Sequence, residues 1–297
     1  MLADPDRPLL LLGCDGQVGR EVRRLADARG LPIAALARGQ LDITQRLEVM
    51  EAVGRGYGVV VNAAAYTAVD RAESEAAKAM AVNRDGAGHI AEACQASGAA
   101  LIHLSTDYVF DGAKGVPYRE DDSVHPLNVY GSSKQAGEAA VRAVCAGHVI
   151  LRTSWVFGAA GANFVKTMLR LGSERAELSV VADQFGCPTP AAALAEAVLA
   201  VAERLDPGVY GTYHCAGAER TSWYDFAGAI FAGQQALTGR AGPELRPIAT
   251  ADYPTAARRP VDSTLDSSLF QATFGLGPID WRGGLIELLR TLLAART

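Results

Sequence analysis

Leu9-Leu10-Leu11-Leu12-Gly13-Cys14-Asp15-Gly16-Gln17-Val18-Gly19 reads as a strand, a glycine turn and the start of a helix. The apolar run passes straight into the glycines, and Val22, Leu25 and Ala26 then fall at helical spacing. Glycines in such a turn allow a tight bend, let the backbone approach a pyrophosphate and let the helix pack closely on its strand, while the helix N-terminus offers unpaired N–H groups to an anion. The spacing is G-x-x-G-x-x-G, one residue wider at the front than the usual dinucleotide fingerprint. A lone triplet also suits an ordinary βα turn. The strand before it and the helix after it favour nucleotide binding, with Gly13, Gly16 and Gly19 as cofactor-binding candidates.

Further apolar, strand-like runs recur at residues 33–36, 59–61, 100–104, 149–151 and 178–181, separated by stretches of helical period. Alternating β and α predicts a doubly wound parallel sheet of Rossmann type, covered on both faces. Residues 76–100 read as one long helix. Past Asp183 the pattern loosens into prolines, an alanine-rich helix over 191–205 and a strand-like run ending at His214. The expected organisation is a dinucleotide-binding domain over 9–182 and a smaller C-terminal substrate-binding lobe over 183–297, free to interleave with the first.

The chain of 297 residues is 49% hydrophobic with a net charge of −5, and it has no basic run. Nucleic-acid binding, which rests on clustered Lys and Arg, is therefore not expected. No stretch approaches the length of a membrane span. Five scattered cysteines without a C-x-x-C pair point to a reduced, cytoplasmic setting. The five histidines show no ligand spacing, and no metal ligand is assigned.

In an open parallel sheet, ligands sit beyond the carboxyl ends of the strands. Those ends carry Asn62-Ala63-Ala64-Ala65, Ser105-Thr106-Asp107-Tyr108 and Arg152-Thr153-Ser154-Trp155. Tyr130 and Lys134 stand four apart in Tyr130-Gly131-Ser132-Ser133-Lys134 and share a helix face. A phenol is a poor acid at neutral pH, and a neighbouring ammonium is expected to draw its pKa down. Each residue has a plainer role as well. Thr106 suits a loop cap, Asp107 an Asx turn, Trp155 packing between lobes, and Asp70 a solvated helix start.

Taken together, the glycine turn, Asn62-Ala-Ala-Ala-Tyr66-Thr-Ala-Val-Asp70, Ser105-Thr-Asp-Tyr-Val-Phe-Asp-Gly112, Tyr130-Gly-Ser-Ser-Lys134, Arg152-Thr-Ser-Trp155 and Asp183-Gln-Phe-Gly-Cys-Pro-Thr189 resemble the extended short-chain dehydrogenase/reductase family. The resemblance runs from about Leu9 to the C-terminus. It implies reduction of the 4-keto group of a nucleotide-linked 4-dehydro-6-deoxyhexose by NADPH or NADH. Tyr130 would donate the proton, Lys134 would hold the nicotinamide ribose, and Thr106 would hydrogen-bond the ketone oxygen. By the same resemblance Asp107 and Trp155 would contact the substrate, and Arg259, beside Arg258 before Pro260, is a further candidate because a forked guanidinium suits a diphosphate. Gln17, Val18, Asp42, Ile43, Ala63, Ala64, Ala65, Tyr130 and Lys134 would contact the cofactor. The family's Arg-Pro-x-Asn-Ser carries Asp262 here in place of Asn.

Some relatives hold Mg2+ between acidic residues. Glu21 fits one such place, but Ala191-Ala192-Ala193 offers no second carboxylate, so Mg2+ binding stays open. An epimerase on the same scaffold and a non-catalytic regulatory subunit are the competing readings, and a homodimer is the assembly kept in view. The nucleobase and hexose carry no code in the sequence. For the cofactor, an acidic residue about 20 positions past the glycine motif accepts the ribose 2′-OH of NAD. Ala37-Arg38-Gly39 stands there instead. A guanidinium at Arg38 suits a 2′-phosphate, so NADPH is expected to be preferred, with Asp42 near enough to leave NADH use open.

Overall fold

The computed structural model describes residues 7–294. In chain order come β1 (Leu9–Leu12), α1 (Gln17–Ala28), β2 (Ile33–Leu36), α2 (Arg46–Val53), β3 (Val59–Asn62), α3 (Val69–Ala72), α4 (Ala76–Met80), α5 (Ala87–Ser97), β4 (Ala100–Thr106), α6 (Val129–Val144) and β5 (His148–Thr153). There follow β6 (Val156–Phe157), α7 (Phe164–Glu174), β7 (Glu177–Val181), β8 (Phe185–Gly186), β9 (Thr189–Pro190), α8 (Ala191–Glu203), β10 (Gly211–His214), β11 (Thr221–Ser222), α9 (Trp223–Thr238), β12 (Glu244–Ile248), α10 (Ser268–Phe274) and α11 (Trp281–Ala294).

The large sheet has the order β10-β5-β4-β3-β1-β2, all parallel, so the winding reverses between β1 and β3. Both faces are covered, which is why all four leucines of β1 are buried. Successive side chains of a strand point to opposite faces. Leu9 and Leu11 join the core under α1 and α8, and Leu10 and Leu12 the core under α2, α5 and α6. A separate core gathers Phe157, Leu169, Leu178, Phe226, Ile230 and Trp281 from β6, α7, β7, α9 and α11.

Three sequence expectations change. The run at 178–181 does not enter the large sheet; it pairs in parallel with β12 over the second core. Its place beside β5 is taken by β10, from the stretch assigned to the smaller lobe. Alternation alone cannot tell which sheet a strand joins, because that is decided by what its faces bury. The long helix over 76–100 ends at Ser97 with Gly98 at φ 72°, and a π-helical segment at Ala81–Gly86 interrupts it.

Candidate active site

Helix α6 brings Tyr130 and Lys134 to the sheet. Its N-cap, Asn128, accepts a hydrogen bond from Gly131 N at 2.7 Å and donates one to the Arg258 carbonyl at 2.8 Å. The first turn lies so close to the loop after β4 that a Cβ on Gly131 would stand 2.1 Å from the Tyr108 carbonyl oxygen. Glycine is therefore required there by packing. Ser133 donates to the Tyr130 carbonyl and accepts from Asn83, whose side chain also bonds both Tyr66 N and Tyr66 O. Asn83 belongs to the π segment, and a Cβ on Gly137 would come within 2.1 Å of its carbonyl.

Tyr130 is half-buried, stands edge-on to Tyr108 at 5.7 Å and faces the Thr106 hydroxyl. Burial pushes its phenol up to about 12, the Thr106 hydroxyl pulling down and the Asp107 charge adding to the rise. The lowering expected from Lys134 is not expressed in this arrangement. The Lys134 amine donates to the Leu104 carbonyl at 2.6 Å, and burial draws it down to about 8 against the attraction of Glu138. Desolvation disfavours the charged form of each group and is the largest influence on both.

Thr106 and Asp107 sit where β4 ends in a short 3-10 turn. The Thr106 hydroxyl donates to Asp107 Oδ1 at 3.0 Å and accepts from Tyr108 N at 3.2 Å, so it caps the turn as well as facing Tyr130. Asp107 is buried, and its Oδ2 accepts from the hydroxyls of Ser154 and Ser263. Burial raises its carboxyl to about 6, and these hydrogen bonds oppose the rise.

At the switch between β1 and β3 the glycines divide their work. Gly13 has φ 81°, and a Cβ there would meet Ala64 N at 2.6 Å; one on Gly19 would meet the Gly13 carbonyl at 2.2 Å. Both are fixed by close packing. Gly16 is the N-cap of α1, exposed, with only the Gly13 oxygen in the direction of an added Cβ, which leaves the helix N-terminus open to an anion. Ala63, Ala64 and Ala65 line the adjoining end of β3, part-exposed. Gln17 reaches across to the second core, accepting from Asn163 at 2.8 Å, while Val18 packs against the core under α1.

Arg38, just past β2, is 71% exposed and only loosely paired with Asp42 at 3.4 Å. The Asp42 carboxylate is engaged by Thr44 N and Thr44 Oγ1, which hold its pKa below the usual range. Ile43 is buried, its side chain against Gly86.

Trp155 has φ 45°, the one positive φ outside glycine among the described residues, and it stacks on Trp223 at 3.4 Å. A left-handed backbone at a bulky residue is strained, and such strain gathers at functional sites. Arg259 donates to Asp70 at 2.7 Å and to the Ala257 carbonyl at 3.4 Å. Asp70 stands part-exposed in the first turn of α3, as expected of a helix start, and also tethers the Arg259 segment. Asp262 is held by Arg220 at 2.7 Å and by Thr264.

Glu21 pairs with Arg24, and no cluster of three or more His, Cys, Asp or Glu among the described residues could hold a metal ion. No helix among them is long and apolar enough to cross a membrane.

Sequence reasoning missed Glu138, Asn83 and Ser263, and placed Tyr108 at a strand end without giving it a role. Glu138 is fully buried and takes a two-point salt bridge from Arg152, at 2.9 and 2.8 Å, plus a hydrogen bond from Ser105 at 2.6 Å. The signal for it was present, since Tyr130, Lys134 and Glu138 repeat at four-residue spacing.

A doubly wound sheet with a glycine turn at its switch point, and a Tyr-x-x-x-Lys helix meeting a strand-end threonine, defines a short-chain dehydrogenase/reductase. A family model described as RmlD substrate binding domain matches residues 7–294. The dTDP-4-dehydrorhamnose reductase of Aggregatibacter actinomycetemcomitans is 45% identical over 93% of this chain and 96% of its own. That of Escherichia coli K12 is 43% identical over 96% and 97%. Among solved structures, a Clostridium acetobutylicum dTDP-4-dehydrorhamnose reductase superposes with a TM-score of 0.90 at 38% identity, covering 96% of this chain and 99% of that one. A Bacillus anthracis dTDP-4-dehydrorhamnose reductase in complex with NADP gives 0.90 at 35% identity over the same shares. The chain belongs to the dTDP-4-dehydrorhamnose reductase family.

Proposed function

We propose that this chain is an NADPH-dependent oxidoreductase that reduces the 4-keto group of dTDP-4-dehydro-6-deoxy-L-mannose to give dTDP-L-rhamnose. The observation that carries the reading is the Thr106–Tyr130 hydroxyl pair at the carboxyl end of β4, with Lys134 one turn behind it. The relatives' names supply the substrate.

The residues at the switch point fit a dinucleotide. Gly13, Gly16 and Gly19 with Gln17 and Val18 would cradle its diphosphate at the start of α1; Arg38, Asp42 and Ile43 would border the adenosine, and Ala63 to Ala65 the flat rings. When bound, the reduced cofactor supplies the hydride. Tyr130, whose raised pKa keeps it protonated at neutral pH, donates its proton to the oxygen of the reacting carbonyl. Thr106 would turn its one hydroxyl proton from Asp107 to that oxygen, a donor placed where negative charge develops. Lys134 would hold the ribose and restore the Tyr130 proton. Asp107 and Trp155 would border the sugar, and Arg259 would meet the diphosphate with the N–H groups that Asp70 leaves free. Arg38 favours NADPH over NADH. Five free cysteines, all buried, are in keeping with a reduced, cytoplasmic setting, and a homodimer is the assembly proposed.

The test is NADPH oxidation by purified protein with dTDP-4-dehydrorhamnose generated in situ, beside the UDP and GDP analogues. Turnover greatest with the dTDP sugar is expected. Turnover confined to another nucleotide sugar would replace the substrate, and none with any of them would point to a binding subunit.

A further inference from the structure

Asn62 and His103 are paired neighbours on β3 and β4, each 1% exposed, and they lie behind Lys134. Asn62 Oδ1 accepts from Ala64 N at 3.1 Å, which only an oxygen can do, so the amide NH2 faces His103 Nδ1 at 3.0 Å. Nδ1 is thereby an acceptor, and the proton of the neutral ring sits on Nε2. Burial keeps the ring neutral, and the charges of Lys134, His148 and Arg142 act in the same direction. His103 Nε2 stands 3.5 Å from Lys134 Nζ, whereas the same amine is 2.6 Å from the Leu104 carbonyl. An N–H aimed at an ammonium is repelled, which accounts for the longer gap. Aimed at a neutral amine, it meets a lone pair.

We propose that Asn62 fixes the tautomer of His103 and that His103 Nε2–H acts as a positioning group for Lys134, favouring its uncharged amine. Tyr130 gives its O–H proton to the substrate oxygen, the phenolate takes a proton from the Lys134 ammonium, and solvent later restores that one. His103 makes the middle step easier by favouring the amine it leaves. The inference rests on Tyr130 and Lys134 being a proton-transfer pair.

Glu138, on the same helix, pulls the other way. The remaining charges on elements packed against α6 are engaged elsewhere. Arg152 and Arg142 hold Glu138, Arg84 holds Asp85, Arg71 and Lys78 hold Glu75, and Glu92 pairs with Arg46. Asp70 pairs with Arg259 and Glu73 accepts from Val129 N, while Asp107 and Tyr108 face Thr106 and Arg259. His89 and His148 bond the carbonyls of Ile43 and Cys145.

The chain has five histidines and only four lysines, Lys78, Lys114, Lys134 and Lys166, so nuclear magnetic resonance can follow each. Nitrogen-15 labelling of histidine reports the His103 tautomer, and carbon-13 labelling of the lysine Cε reports the Lys134 titration, assigned by its loss in Lys134→Met. We expect the Nε2–H form and a Lys134 midpoint near 8. Asn62→Asp keeps the bond to Ala64 N but accepts from His103 Nδ1–H, turning the Nε2 lone pair toward Lys134. The midpoint should rise by about one pH unit, a tenfold change in the protonation equilibrium.

Because the new carboxylate charge alone would raise it too, the same substitution is made in His103→Leu, or in His103→Gln should the first not fold. There the rise should fall below half. A native Nδ1–H tautomer, no rise, or an equal rise in both backgrounds would overturn the proposal. Neither measurement needs substrate, so its failure leaves the reductase reading standing. Absent turnover with both signatures present would sink that reading alone.

Discussion

The Tyr130 phenol and the Thr106 hydroxyl face one another, and deleting one oxygen separates binding from chemistry. Tyr130→Phe should lower kcat by about 10²- to 10⁴-fold, the usual contribution of a positioned acid. Dissociation constants for cofactor and sugar nucleotide should barely move, since Thr106 keeps its bond to Asp107. Near-native turnover at saturation would assign the proton to another group. Arg38 offers the opposite case, a side chain whose partner among the described residues is weak and exposed. A surface pair of that kind contributes about 0 to 1 kcal/mol, so the guanidinium is free to turn toward a 2′-phosphate. A charge-assisted contact worth about 1 to 3 kcal/mol is a 5- to 150-fold preference for NADPH in kcat/KM. Arg38→Ala should remove most of it through the KM for NADPH, and an unchanged cofactor ratio would show that Arg38 reads nothing.

Helix α6 carries the reactive pair on one face and two glycines on others, and those glycines decide how near it lies to its neighbours. Gly→Ala in a helix interior usually gains about 1 kcal/mol. At Gly137 the added Cβ would stand 2.1 Å from the Asn83 carbonyl, a backbone atom that cannot turn away. Overpacking of this kind costs about 1 to 3 kcal/mol, so the sign should reverse. Gly137→Ala should melt several degrees lower and lose turnover as α6 shifts; a melting point at or above the native one would show the contact to be soft.

This element also marks what the sequence makes legible. Tyr130, Lys134 and the glycine turn are visible because their geometry follows from spacing within one helix or turn. Ser263 on Asp107 and Arg259 on Asp70 join residues 156 and 189 apart, and no local pattern carries such pairings. The run at 178–181 was visible as a strand but not as a member of a separate sheet, since periodicity reports faces and not partners.

Across the whole molecule, buried titratable groups set how stability changes with pH. His103 and His214 are held neutral by burial, the first well below its ordinary pKa and the second near 3, so each gains a proton on acidification only in the unfolded chain. Stability from both is present above the unfolded pKa of about 6.5 and is lost as pH falls below it. Asp107 runs the other way. Its folded pKa near 6 exceeds the unfolded value of about 3.9, so acidification from 6 toward 4 restores stability. Of these three groups, two protons against one leave a net loss as pH falls through about 5 to 6, to which the depressed His148 adds and against which the raised Glu120 runs. The urea midpoint should therefore fall between pH 7 and pH 5. In Asp107→Asn it should start higher at pH 7 and fall more steeply. A native midpoint that rises on acidification would contradict the two neutral histidines.

The crossing of β10 into the large sheet predicts that this chain does not divide into two self-sufficient pieces. A fragment ending at residue 182 would leave the outer edge of β5 without its partner and the face of α1 stripped of α8. An unpaired edge strand beside bare apolar surface invites association. Such a fragment should aggregate when made alone and become soluble when co-expressed with residues 183–297, the two reassembling without a covalent link. A fragment 7–182 that is monomeric and cooperatively folded by itself would show that β10 is dispensable.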